Sequence, residues 1–189
     1  MMPSLRRELS PLLLLLLLPI LTLAPFFSTD ALAAEASEYE VKAAFLYNFT
    51  KFVEWPVKAD RPDDTFDLCI LGDDPFGGTI DSIEEKRSGA RGFKLHREQR
   101  YGDGKALSTC DILFISPSEQ KSLSSILDKA VAAGILTVSD MDGFTKSGGI
   151  IGFKLKNARV AMSINPAAAE RAGLKISSKL LKLADIEGE

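Results

Sequence analysis

Asp111-Ile112-Leu113-Phe114-Ile115 is the most apolar run in the chain beyond its N-terminal leucine tract. A short apolar run bounded by turn residues reads as a strand buried on both faces, as a central strand of a parallel sheet is. Working outward, Ser116-Pro117-Ser118-Glu119 opens a helix that reaches Ala133, with Gly134 as its stop. Ile135-Leu136-Thr137-Val138 is a second buried strand. On the N-terminal side, Phe66 to Leu71 is a strand stopped by Gly72-Asp73-Asp74-Pro75. Asp74 can cap a helix with Pro75 in its first turn, running to about Lys86. Phe93 to Arg97 is a short strand, and Gly102 to Thr109 is polar and loop-like.

The flanks complete the pattern. Between Tyr39 and Trp55, Val41, Ala44, Phe45, Phe49, Phe52 and Trp55 fall at helical spacing on one face, and Pro56 ends the helix. Gly149 to Leu155 and Arg159 to Ile164 read as an antiparallel hairpin around Lys156-Asn157-Ala158. Asn165-Pro166 opens a helix of small residues closed by Gly173, and a last helix carries Ile176, Leu180, Leu181 and Leu183. Strands alternating with helices predict an α/β fold. The expectation is a three-layer α/β/α sandwich, its sheet mostly parallel with an antiparallel C-terminal hairpin at the edge.

The first residues read as a secretory signal. Arg6 and Arg7 precede the Leu12–Leu18 run, and Ala31-Leu32-Ala33 offers small residues at the cleavage positions. Pro11, Pro19 and Pro25 break the stretch short of the ~20 apolar residues that span a bilayer. Residues 1–33 are therefore expected to be a cleavable signal peptide, and residues 34–189 a single exported domain with no membrane insertion after cleavage. The removed piece holds two basic and two acidic residues, so the net charge stays −3. No basic block exists to attract nucleic acid. The only cysteines are Cys69 and Cys110. In an oxidising compartment two cysteines predict one disulfide, against the alternative of two buried thiols.

Catalytic chemistry is thin. The single histidine, His96, sits among Lys94, Arg97 and Arg100 on a short strand that reads as peripheral. No G-x-S-x-G elbow occurs. Metal binding would rest on carboxylates alone, so neither metal nor cofactor is expected. Asp73-Asp74 and Asp140-Met141-Asp142 follow strands, where α/β folds hold ligands, but aspartates there also cap and turn. Two features stand out locally. Asn48 lies in the apolar stripe of the first helix. Gly148-Gly149 precedes the hairpin, where a positive φ or a close backbone approach would call for glycine.

Taken in order, the segments resemble one family. Glu40-Val41-Lys42-Ala43-Ala44-Phe45-Leu46-Tyr47-Asn48-Phe49, then Phe52-Val53-Glu54-Trp55-Pro56, is similar to the opening helix of YfiR-like proteins. The likeness continues through Leu68-Cys69-Ile70-Leu71-Gly72-Asp73-Asp74-Pro75-Phe76-Gly77 and through Cys110 to Ser116. It includes Ile135 to Asp140, Gly143-Phe144, Gly148 to Phe153, Ile164-Asn165 and Ala172 to Leu181. The resemblance implies a periplasmic α/β protein that is not an enzyme. It implies binding to the periplasmic domain of an inner-membrane diguanylate cyclase or similar sensor, which is thereby repressed, lowering cyclic di-GMP and biofilm formation. An outer-membrane lipoprotein partner and a homodimer belong to the same expectation. Cys69 and Cys110 match the positions of a family disulfide. Thr145 and Gly152 stand where some relatives carry a second pair.

Two sets of candidate residues follow. Trp55, Pro56 and Phe76 are expected as exposed apolar contacts for a protein partner. Asp73, Asp74, Ser116 and Asp140, at strand ends, are expected to line a pocket if the chain is instead a periplasmic receptor for a small metabolite.

Overall fold

The computed structural model describes residues 29–56, 64–102 and 106–188. Ala34–Glu189 forms a compact unit of its own. The leucine run of the expected signal peptide lies outside the described residues.

The apolar runs become the sheet. Its strands are β2 (Thr65–Leu71), β3 (Gly92–Glu98), β4 (Ile112–Ile115), β5 (Leu136–Ser139), β6 (Ile151–Lys156), β7 (Arg159–Ile164) and β9 (Asp185–Ile186). They lie in the order β3-β2-β4-β5-β6-β7-β9. Pairing is parallel from β3 through β6, antiparallel for β6/β7 and parallel again for β7/β9. Strand alternation sends side chains to two cores. Leu68, Ile70, Ile112, Phe114, Leu136, Val138, Ile151 and Phe153 face one side. Cys69, Leu71, Leu113 and Ile115 face the other.

Helices cover both faces. The first core is closed by α1 (Thr29–Phe49), a 3-10 segment (Gly77–Ile83), α3 (Pro166–Arg171) and α4 (Ser178–Leu181). The second is closed by α2 (Leu123–Ala132), with Leu107, Met141 and Phe144. The three-layer α/β sandwich is thus the observed fold. A separate two-stranded ribbon pairs β1 (Val53–Glu54) antiparallel with β8 (Lys175–Ile176).

Several boundaries differ from the sequence reading. Helix α1 ends at Phe49 rather than Trp55, because Val53, buried, leaves to pair with Ile176. Its buried face is also rotated. Lys42, Leu46 and Phe49 point inward, while Val41 is 42 % exposed and Ala44 is exposed. Asn48 is half-exposed and accepts from Lys51 Nζ at 2.9 Å, so it is not the buried amide expected. The helix expected from Asp74 to Lys86 is a 3-10 segment, its start carrying the poor α-former pair Gly77-Gly78. Residues Pro117–Ser122 are likewise 3-10, and α2 begins only at Leu123. The hairpin is not the sheet edge, because β9 adds outside β7. Ile176 belongs to β8, and Leu183 lies beyond α4 and is exposed.

Local chemistry accounts for the hairpin turn, the start of α3 and the Gly148-Gly149 pair. The β6–β7 turn uses Asn157 (φ 53°) and Ala158 (φ 57°), the two left-handed residues of a tight hairpin. Asn165 caps α3, its Oδ1 accepting from Ala168 N at 2.8 Å and its Nδ2 donating to Thr145 O at 2.9 Å. Gly148 has φ +100°, and a Cβ on Gly149 would collide with the Phe144 ring.

Strand β9 is held by charge. Lys154 Nζ lies 2.9 Å from Asp185 Oδ2 and 3.4 Å from Glu187 Oε1, and Thr145 Oγ1 donates to Glu187 Oε2 at 2.8 Å. The hydrogen bond from Lys154 holds the Asp185 carboxyl below its ordinary range, and the one from Thr145 lowers that of Glu187. A depressed carboxylate adds stability above its unfolded pKa and loses it as pH falls through the folded value. Docking of β9 is therefore expected to weaken once the pH drops below about 4. Hydrogen exchange checks this at the Glu187 amide, which donates to Ile164 O at 2.8 Å. Its protection, corrected for the intrinsic rate, should fall on acidification while that of β4 holds.

Candidate functional site

The chain leaves β2 for β3 on one side and returns to β4 on the other. In open α/β sheets such a reversal is where ligands bind, beyond the C-terminal strand ends. Here that rim carries Gly72-Asp73-Asp74 after β2, Ser116-Pro117-Ser118 after β4 and Asp140 after β5.

The crevice between β2 and β4 is filled by the protein itself. Ser118 Oγ accepts from Asp73 N at 2.9 Å and donates to Ser116 Oγ at 3.3 Å. Gly72, at φ +93°, packs so closely that a Cβ there would collide with Ser118 Oγ. Ser116 is buried and caps the 3-10 segment that follows. Asp74 is engaged on both oxygens. Its Oδ1 accepts from Phe76 N at 2.8 Å, and its Oδ2 from Arg97 Nε at 2.7 Å. Arg97 also reaches Asp81 Oδ1 at 2.6 Å, and these hydrogen bonds to Asp74 and Asp81 strengthen its hold on the proton.

Asp140 belongs to a different network. Its Oδ2 accepts from Tyr39 OH at 2.9 Å and from Lys42 Nζ at 2.6 Å. Lys42 Nζ also lies 2.6 Å from Glu38 Oε1 and 4.1 Å from the centre of the Tyr39 ring. Asp140 Oδ1 is buried with no hydrogen-bond partner among the described residues. The structure therefore links Asp73 and Ser116 through Ser118 but assigns Asp74 and Asp140 to separate ion pairs. It does not gather the four into one pocket.

The expected apolar contacts are corrected in part. Phe76 is 3 % exposed, set edge-on to Phe114 at 4.8 Å and to Tyr39 at 5.3 Å. It is a core residue with no ring surface to offer a partner. Trp55 is half-buried, donates Nε1 to Asp111 O at 3.0 Å and packs on Phe66 at 5.3 Å. Pro56 alone is exposed, and it packs beside Gly134 and Gly173.

The two cysteines form a disulfide, with Cα atoms 5.8 Å apart and a sequence separation of 41. Cys69 is mid-strand in β2, directly opposite His96 on β3. The His96 side chain is 40 % exposed, and its Nε2 lies 2.7 Å from Asp67 Oδ1. That pair escaped the sequence reading. The signal for it was available only once the register placed Asp67 and His96 on one face of adjacent strands. Arg91 was missed too: it stacks 3.5 Å above Phe66, donates to Thr65 O and lies 3.4 Å from Asp111 Oδ2. Thr145 and Gly152 are neighbours, with Thr145 Cγ2 3.5 Å from where a Cβ on Gly152 would stand.

A family model described as YfiR/HmsC-like matches residues 39–185, most of the chain, from within α1 to the first residue of β9. The chain belongs to the YfiR/HmsC-like family. Its members are periplasmic regulators of diguanylate cyclases rather than catalysts. Among the described residues, no helix is long and apolar enough to cross a membrane. No curated protein matched the chain. Among solved structures, a conserved domain protein from Vibrio cholerae is similar at a TM-score of 0.54 and 10% identity. A Streptococcus pneumoniae ABC domain in complex with L-Trp is similar at 0.52 and 10% identity. Each alignment covers 79% of this chain and 60% of the other. At that identity the likeness is one of fold, and the chain spans about 60% of the length of each neighbour.

Proposed function

We propose that this YfiR/HmsC-like protein is exported by cleavage near Ala33 and acts in the periplasm as a repressor. It binds the periplasmic domain of an inner-membrane diguanylate cyclase, or of a similar sensor, and holds it inactive. Cyclic di-GMP and biofilm formation fall as a result. An outer-membrane lipoprotein that competes for the protein, and a homodimeric resting state, belong to the same reading.

The observation that supports it is the family match over residues 39–185. A second observation favours protein recognition over small-molecule sensing at the strand ends. The rim where an α/β receptor would hold its ligand is packed by Gly72, Ser116 and Ser118, and its carboxylates Asp74 and Asp140 are paired with Arg97 and Lys42. With Phe76 and much of Trp55 inside the fold, Pro56 is the one earlier contact candidate with an open surface.

Crosslinking in intact cells, followed by capture of the mature protein, tests the reading. The expected product is an adduct with an inner-membrane protein carrying a cyclase domain. Recovery of the chain only as itself, or bound to soluble enzymes, would overturn the repressor assignment.

A further inference from the structure

On the sheet face away from α1, helix α2 presents Ser124, Leu127, Asp128 and Val131 at i, i+3, i+4 and i+7, which places them on one stripe. That stripe is one wall of a cleft of about 390 Å³, and Ser147, Gly148 and Arg171 form the other. Small-ligand sites occupy roughly 300–1,000 Å³. Two apolar side chains form part of its floor, Leu127 nearly buried and Val131 half-buried. Gly148 contributes bare backbone, with Leu127 Cδ1 3.8 Å from where its Cβ would stand.

The rim carries two opposite charges that the protein leaves unused. Asp74, Asp140 and Asp185 are each paired with a cation. Asp128 and Arg171 have no ion-pair partner within 4 Å among the described residues, although both line this one cleft. The backbone amides of Ser147, Gly148 and Gly149 already donate to carbonyls of the same turn, so recognition falls to side chains. Ser147 Oγ donates to Gly143 O at 3.2 Å and keeps its capacity to accept.

Unlike charges beside the apolar side chains of Leu127 and Val131 select a ligand that carries both charges. An ammonium suits Asp128. A carboxylate suits the planar fork of Arg171, which can grip it with two parallel hydrogen bonds. We propose that this cleft binds a small zwitterion with an apolar body, a free apolar amino acid or a short apolar peptide. The site is separate from the strand-end rim and does not depend on the repressor reading.

Titration of the mature protein followed by amide NMR tests it, with L-leucine and leucyl-leucine as probes. Saturable shifts confined to the cleft are expected with at least one of them, and the tighter one identifies the source as free amino acid or peptide. Two analogues each lack one charge: 4-methylpentanoate has no ammonium and leucinamide no carboxylate. Each should bind about tenfold more weakly than leucine, the scale of one charge-assisted hydrogen bond. Asp128→Asn should weaken leucine to the level of 4-methylpentanoate and leave that analogue unchanged. Arg171→Gln should do the same relative to leucinamide. Thermal melting confirms that both variants stay folded. Absence of saturable shifts with both probes, or analogues binding as well as their parent, would overturn the proposal.

Discussion

The double variant Cys69→Ala/Cys110→Ala is expected to lose about 4 kcal/mol of unfolding free energy, the chain-entropy value for a loop of this length. The bridge closes a loop with a sequence separation of 41 that includes the whole of β3, and it joins mid-β2 to the entrance of β4. Its Cα separation of 5.8 Å lies in the ordinary range, so it forms without displacing either strand. Both cysteines are buried in the second core, at 1 % and 0 % exposure. Serine in their place would add a buried hydroxyl, costing roughly a further 1–3 kcal/mol if it stays unpaired. A domain holds only about 5–15 kcal/mol in total, so steady-state protein level should fall several-fold. Urea unfolding of wild type and variant measures the loss. Binding to the proposed cyclase partner, at a temperature where the variant is folded, should survive. Unchanged unfolding with lost binding would show that the cysteines act in recognition or redox sensing rather than in stability.

Lys42→Met is expected to cost about 3–5 kcal/mol, the range for removing one partner of a buried ion pair. Methionine keeps most of the aliphatic stem, so the loss isolates the charge. Without the ammonium, Asp140 retains only Tyr39 OH among its present donors, with Oδ1 already unpartnered among the described residues. Glu38 loses its contact as well. This network ties α1 to the end of β5, 98 residues away, so α1 should become the first segment cut by protease in the variant. The double variant Lys42→Met/Asp140→Asn should recover part of the loss, because it removes the stranded charge. A neutral Lys42→Met would show that apolar packing alone anchors α1.

The central strands were legible because they need nothing but themselves. Ile112–Ile115 and Leu136–Ser139 are short apolar runs between turn residues, and a run buried on both faces has one meaning in either register. The hairpin was legible from two runs of the right length around Asn157-Ala158. The orientation of α1 was not. Its inward position is taken by Lys42, and a buried lysine breaks the hydrophobic stripe that sets the face. Its counter-charge lies in another element, so no local pattern could announce it. The Gly77–Ile83 segment shows the same limit, since Asp74 and Pro75 mark a helix start but do not choose between α and 3-10. The pairing of Val53 with Ile176 and of Ile164 with Ile186 involves two-residue strands too short to carry periodicity.

The candidate site was legible to a smaller degree. The disulfide followed from cysteine count and compartment. The strand-end residues were placed correctly on the rim, but their partners Arg97, Lys42 and Ser118 come from other elements and decide that the rim is closed. Phe76, directly after Pro75 in the first turn of the expected helix, reads as an exposed aromatic. Only Phe114, 38 positions away, and Tyr39 make it a core residue.

Repression of a cyclase would be read in the cellular level of cyclic di-GMP itself. The nucleotide is to be quantified by mass spectrometry in cells lacking the chain, in the parent, and in cells re-supplied with the wild-type protein. A rise is expected on loss of the chain, and a return to the parental level on re-supply. A level that stays unchanged on loss, or that falls, would contradict repression.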